Sequence, residues 1–201
     1  MTRQRALPLS PPPAPTLDNF APGANAELLA HLRALAAGEL AESVLYLWGE
    51  PGSGRSHLLA ACARPGLAVA DDVERLDEAR QIALFNAINA ARDAGGTVLA
   101  AGNAPPAQLA LREDLRSRLA WGLVYQVKPL TDAEKALTLH GEAARRGLKV
   151  SDEVVWYLLT HVRRDLGSLT LLLERIDRAS LEQQRAVTLP LVRELIRGLD
   201  A

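Results

Sequence analysis

The sequence runs to 201 residues and 21.7 kDa, room for one compact domain or for one domain with a small appendage, and its 48% apolar and 23% charged residues are an ordinary globular balance. A net charge of −1 and a pI near 6.4 speak against a dedicated DNA binder. The single Cys62 excludes an internal disulfide and a structural zinc site, the four histidines (31, 57, 140 and 161) lack ligand spacing, and no apolar run is long enough to span a membrane.

The start, MTRQRALPLSPPP, is basic but has no apolar stretch behind it, so it does not read as a signal peptide, and a cytoplasmic location is expected. Residues 1–15 carry five prolines and no periodicity, the composition of a disordered tail with polyproline-II character. Residues 16–24 read as an ordered linker anchored by Leu17 and Phe20. Leu28, Leu29, Leu32 and Leu35 then recur at helical spacing, which predicts a helix over 25–37 stopped by Gly38. With aromatics at only 4%, the 37 Leu and 34 Ala must build most of the core and favour helix.

An apolar strand at 44–48 is followed by a glycine-rich turn and a helix over 55–63. Arg64-Pro65-Gly66 ends that helix, and 67–70 reads as a second buried strand closing on Asp71-Asp72. A helix over 77–94 is expected to turn Ile82, Leu84, Phe85 and Ile88 inward. A third strand covers 97–101 and ends in Gly102-Asn103, helical turns fill 106–119, and a fourth strand covers 123–127. Strands alternating with helices predict an open parallel α/β sheet with helices on both faces. After Pro129-Leu130 the pattern is wholly helical: a capping box at Thr131–Glu134, a helix to about 146, a Ser151-capped helix to 161, a third from Asp165 to 183, and a short last one from Thr188. The expected organisation is therefore a tail (1–15), an α/β subdomain (16–129) and a helical subdomain (130–201).

The turn from Gly49 to Ser56, GEPGSGRS, fits the phosphate-loop pattern G-x-x-x-x-G-[K/R]-[ST]. Gly49, Gly52 and Gly54 permit the backbone angles that turn N–H groups toward an anion, and the following helix N-terminus adds to the cradle. Arg55 supplies the cation where lysine is usual. It keeps the charge but is bulkier and forked, which suits phosphate binding better than efficient γ-phosphate chemistry. The Ser56 hydroxyl is a Mg²⁺ ligand type, and Asp71-Asp72 at a strand end stand where a second carboxylate holds that ion or polarises the attacking water. Asn103 ends the third strand either to orient a water or merely to start a turn.

The order of these motifs resembles the DnaA-related AAA+ family, and within it the regulatory branch that inactivates DnaA. TLDNFAPGAN resembles the linker that closes over the adenine. GEPGSGRSHLL resembles that branch's phosphate loop, including its Arg and the following His57. Residues 106–135 resemble the sensor 1 to lid junction, and 163–180 resemble the sensor 2 helix. The resemblance implies an arginine finger at Arg118, exposed and directed at a neighbouring subunit's nucleotide, and a sensor 2 arginine at Arg164 that contacts phosphates in cis. It implies bound ADP or ATP with Mg²⁺ held by Ser56 and Asp71. Gln4-Arg5-Ala6-Leu7-Pro8-Leu9 resembles the hexapeptide by which this branch binds the DNA sliding clamp, the polymerase III β subunit. Gln4, Leu7, Pro8 and Leu9 match it, whereas Arg5 stands where that branch has Leu. The implied partners are DnaA, the clamp, DNA through the clamp, and a second copy as a homodimer.

One departure is large. Only 14 residues separate Ser56 from Asp71, where the family fits another strand and one or two helices. The expected sheet therefore has four strands, lacks the usual edge strand, and exposes the Asp71-Asp72 strand as a new edge. The missing helices grip single-stranded DNA in the initiators. Their absence, and the lack of room for a helix-turn-helix domain before Ala201, speak against an origin-melting role. Two alternatives are a stand-alone P-loop ATPase, whose own site would be Ser56, Asp71, Asp72 and Asn103, and an AAA+ adaptor resembling a helicase loader.

Overall fold

The computed structural model describes residues 14–162 and 165–198. They divide into two compact units, Ala14–Pro129 and the residues from Leu130 onward. The first is a parallel α/β unit. Its strands are β1 (Val44–Trp48), β2 (Ala68–Ala70), β3 (Val98–Gly102) and β4 (Leu123–Gln126), in the order β2-β3-β1-β4. All the pairings are parallel, with Leu45 opposite both Leu99 and Leu123.

Alternation along β1 sends successive side chains to opposite faces. Leu45 and Leu47 meet α1 (Ala26–Ala37) and α2 (Arg55–Cys62) in a core with Leu28, Leu32, Leu58 and Leu99. Val44 and Tyr46 meet α3 (Glu78–Asp93) and α4 (Glu113–Leu119) in a second core with Ile88, Val98, Leu115 and Leu119. A central strand buried on both faces explains the continuous apolar run VLYLW. α1 ends where its sequence places a glycine: Gly38 adopts φ 78°, and its N–H and that of Glu39 return to the carbonyls of Leu35 and Ala34.

Three expectations need correction. The second strand is shorter than expected and is not buried. Ala68 and Val69 are exposed because nothing pairs with β2 on its far side, and its three-residue length limits the unpaired edge. Ile82 is 39% exposed rather than inward, since α3 buries only Leu84 and Ile88 fully. The helical turns at 106–119 are two pieces, a 3-10 turn at Pro106–Gln108 and α4, which begins only at Glu113.

The second unit is helical: α5 (Asp132–Arg145), α6 (Asp152–His161), α7 (Leu166–Gln183) and α8 (Leu189–Arg197). Its caps follow the sequence signals. Thr131 and Glu134 form a reciprocal capping box, Ser151 accepts from Val154 N–H, and Asp165 accepts from Ser168 N–H. Leu139, Leu158, Leu169, Leu173, Ile176 and Val192 form its own core. Among the described residues no helix is long and apolar enough to cross a membrane.

Gly122, entering β4, is required for close approach. A Cβ there would fall on the Val44 carbonyl and within 2.9 Å of the Val44 side chain. Gly122→Ala should therefore destabilise the fold by about 1–3 kcal/mol, as overpacking against backbone does. Gly141→Ala, inside α5 with open space around it, should instead stabilise by about 0.5–1 kcal/mol. Urea midpoints of the two variants check both signs.

Candidate functional site

The phosphate loop leaves the carboxyl end of β1 and opens α2, while Asp71-Asp72 and Asn103 follow β2 and β3. In a parallel sheet the carboxyl ends of adjacent strands face one crevice. The strand order therefore gathers these segments at one end.

Within the loop, Gly52 and Gly54 take φ values of 81° and 101°. Gly49 needs no special φ but close approach: a Cβ would lie 2.7 Å from the Val127 carbonyl and 2.9 Å from Ser53 Oγ. Ser53 N–H donates to the Glu50 carbonyl at 3.1 Å, closing the turn. Ser53 Oγ and Arg55 Nη1 are buried and have no hydrogen-bond partner. Such buried polar atoms are costly unless a ligand satisfies them. Ser56, in the first turn of α2, is exposed.

Arg55 is a buried arginine at 8% exposure, and its Nη2 lies 3.7 Å from Asp72 Oδ1. β3 lies between β1 and β2, so two strand spacings, about 10 Å, separate the two chain segments. The long forked side chain spans that gap. Asp72 is held from its other side by Arg75 at 3.6 Å and sits in the left-handed region, φ 45°. Asp71 Oδ1 accepts the Asp72 N–H at 2.8 Å.

Sequence reasoning missed Glu74, in the 3-10 turn at Val73–Arg75. Its Oε2 accepts the N–H of Asn103 at 3.3 Å, which ties the end of β3 to the segment after β2. The Asn103 side chain is exposed. Beneath lies Tyr46, whose hydroxyl donates to the Ala104 carbonyl at 2.9 Å. Burial, and then the Glu74 carboxylate, push its phenol well above the ordinary value, with Arg55 opposing. Nothing in residue spacing marks Glu74, because its role depends on which strand lies beside β2.

The linker packs on the loop. Phe20 sits where a Cβ on Gly54 would be, 2.7 Å from its ring edge, and its ring centroid is 5.6 Å from that of His57. His57 Nε2 is 3.0 Å from the Thr16 carbonyl. Asn25, 3% exposed, donates to the carbonyls of Pro22 and Lys128 and accepts the Lys128 N–H. Asn25 thus pins the linker's end to the chain leaving β4.

Arg118 lies apart, on α4. It is half-buried rather than exposed, contrary to expectation. Its Nε donates to Asn89 Oδ1 at 2.9 Å, and its Cζ stands 3.5 Å from the Trp121 ring centroid and 5.2 Å from that of Phe85. Such a stack contributes about 0.5–2 kcal/mol. Asn89 and Trp121 were not legible as partners, since one comes from α3, 29 residues away. The expected phosphate contact Arg164 and the expected clamp contacts Gln4, Leu7, Pro8 and Leu9 lie outside the described residues. A cavity of about 270 Å³ lies at the other end of the sheet, between Leu35, Arg64, Leu67 and Thr97, and touches none of these groups. Among the described residues no cluster of three or more His, Cys, Asp or Glu could hold a metal by itself.

The packing of Phe20 against Gly54 makes a direct prediction. Gly54→Ala must displace the ring and strain φ. Limited proteolysis should then cut within 14–24 faster than in the wild type, with far-UV circular dichroism nearly unchanged.

Residues 132–196 match the family model described as Hda, lid domain. Domain III of the replication initiation protein DnaA from Thermotoga maritima superposes with a TM-score of 0.75 at 19% identity, covering 93% of this chain and 98% of that one. AMPPCP-bound DnaA from Aquifex aeolicus gives 0.68 at 21% identity, over 81% of this chain but only 64% of the DnaA. A variant of RuvB from Thermotoga maritima gives 0.69 at 19% identity, over 92% and 72% of the two chains. With an Hda lid domain at 132–196 following an α/β unit of the DnaA fold, the chain belongs with the DnaA-related AAA+ proteins.

Proposed function

We propose that this chain is a negative regulator of DNA replication initiation. It binds an adenine nucleotide, sits on the DNA-loaded sliding clamp through its N-terminal tail, and stimulates hydrolysis of DnaA-bound ATP in trans. The observation that carries the reading is the Hda lid match in a chain whose fold is that of DnaA domain III. The chromosome's own compartment, the cytoplasm, is then the place of action.

The nucleotide is ADP in the resting state. Arg55 Nη1 and Ser53 Oγ, both buried without partners, await phosphate oxygens, and Gly49, Gly52 and Gly54 allow the backbone to approach them. Phe20 and His57 flank the loop where the linker crosses it. For a divalent ion the chain offers the exposed Ser56 hydroxyl and the second oxygen of Asp71. Phosphate and water oxygens would complete the shell, since Mg²⁺ usually keeps several such ligands. Asp72 is less suited to the metal because two guanidinium groups already hold it. The same arrangement supports weak turnover by the chain itself: the acid that would polarise water is neutralised by Arg55 and Arg75.

Arg118 is the group that acts on the partner. A guanidinium suits this role because it stabilises charge spreading over a transferring phosphoryl group. The tail docks Gln4, Leu7 and Leu9 into an apolar groove of the clamp, and Pro8 lowers the ordering cost. A second copy of the chain would present the same surfaces as DnaA does, which makes a homodimer the resting competitor.

The decisive experiment measures hydrolysis of DnaA-bound ATP with and without this protein and clamp-loaded DNA. Stimulation that requires all three components is expected. Arg118→Ala and Arg118→Lys should both lose it while still binding ADP, because lysine lacks the fork. Calorimetry should show ADP binding, whereas the protein alone should turn over ATP far below about 1 per second. Faster turnover would favour the stand-alone ATPase. Replacing Gln4, Leu7 and Leu9 together by Ala should abolish clamp binding and leave the thermal midpoint unchanged.

A further inference from the structure

We propose that Trp121 is a positioning residue that orients the Arg118 guanidinium for the nucleotide of a neighbouring AAA+ subunit. The inference rests on the trans-acting role of Arg118 given above, and it names what holds that arginine ready.

The Trp121 ring lies 3.5 Å from Arg118 Cζ, the separation of a face-to-face stack. The ring returns over the last turn of its own helix, at i+3 from the arginine, and the Trp121 N–H donates to the Arg118 carbonyl at 3.1 Å. Its backbone has little freedom, because Gly122 is pressed against Val44 of β1. The platform is thus built on the central strand rather than on a loose loop. Nε of Arg118 is already used by Asn89. Among the described residues no hydrogen-bond acceptor engages the terminal nitrogens, so their N–H donors remain for an incoming phosphoryl group. The stack fixes the plane of the fork, and the plane decides where those donors point.

A second guanidinium, that of Arg92, lies 5.2 Å from the same ring and is tied to Asp93. Trp121 is 46% exposed. A half-exposed indole carrying two cations is a surface complementary to an anion, and it fits a nucleotide phosphate arriving on another protein. A free arginine would have to lose its side-chain freedom on docking. A stacked one has lost it beforehand, and the benefit appears in the rate of the chemical step rather than in docking affinity.

The test uses the full chain with clamp-loaded DNA and ATP-loaded DnaA, titrated to saturation. Trp121→Ala should lower the maximal hydrolysis rate by about 10- to 100-fold, while the half-saturating concentration moves by less than about threefold. Trp121→Phe, which keeps a π face, should recover most of the rate. Trp121→Leu, which only fills space, should not. ADP affinity and thermal midpoints close to the wild type confirm that the variants fold. A maximal rate unchanged in Trp121→Ala, or equal recovery by Leu and Phe, overturns the proposal. In a Trp48→Phe, Trp156→Phe background, Arg118→Ala should alter the remaining tryptophan emission, and an unchanged spectrum also overturns it. If Arg118→Ala stimulates normally, the trans-acting role itself falls, an outcome separate from any Trp121 result.

Discussion

The geometry depends on one constraint: parallel strands cannot be joined by a tight turn, so every connection must cross a face of the sheet. Between Ser56 and Asp71 the chain has only 14 residues for this. It uses them for α2, a short turn and β2, and it must still pass over β3 to reach the edge. The sheet is left with four strands and a three-residue edge. The crossing nevertheless returns Asp71-Asp72 to the same end of the sheet as the phosphate loop, because all the strands run in one direction.

That crossing sets the electrostatics. With β3 between the loop and the acidic pair, only a long side chain connects them. Arg55 does so and is buried in the process, leaving one of its nitrogens without a partner. Arg75 and Glu74 then place a further cation and anion around the same strand ends. The result is a cradle with one buried, partly satisfied cation and an acid already neutralised. In the function proposed above, such a site would hold phosphates more readily than it would activate water.

The other arginine of interest is organised by different physics. Arg118 is held by a neutral amide and an aromatic face, with no carboxylate within ion-pairing distance of it among the described residues. A carboxylate partner would hold the guanidinium by competing directly with an incoming phosphate. An amide and an indole hold it in place while leaving its charge available. Two arginines on one α/β unit therefore sit in different surroundings, one beside a carboxylate and one against an amide and an aromatic face.

Much of this was written in residue order. The leucine spacing of α1, Gly38 as its stop, the capping signals of α5 to α7 and the glycine pattern of the phosphate loop are local, and local sterics and hydrogen bonding determine them without reference to the rest of the chain. The four strands were legible as short apolar runs alternating with helices, and the family resemblance is what marked the short spacing between Ser56 and Asp71 as a missing edge strand. What the sequence could not decide is which residues meet across strands and helices. The exposure of β2 and Ile82, the contact of Glu74 with Asn103, the reach of Arg55 to Asp72, and the stacking of Arg118 between Asn89 and Trp121 join residues distant in the chain or set by sheet order. Only tertiary packing brings such groups within the few ångströms over which charge, hydrogen bonds and aromatic faces act.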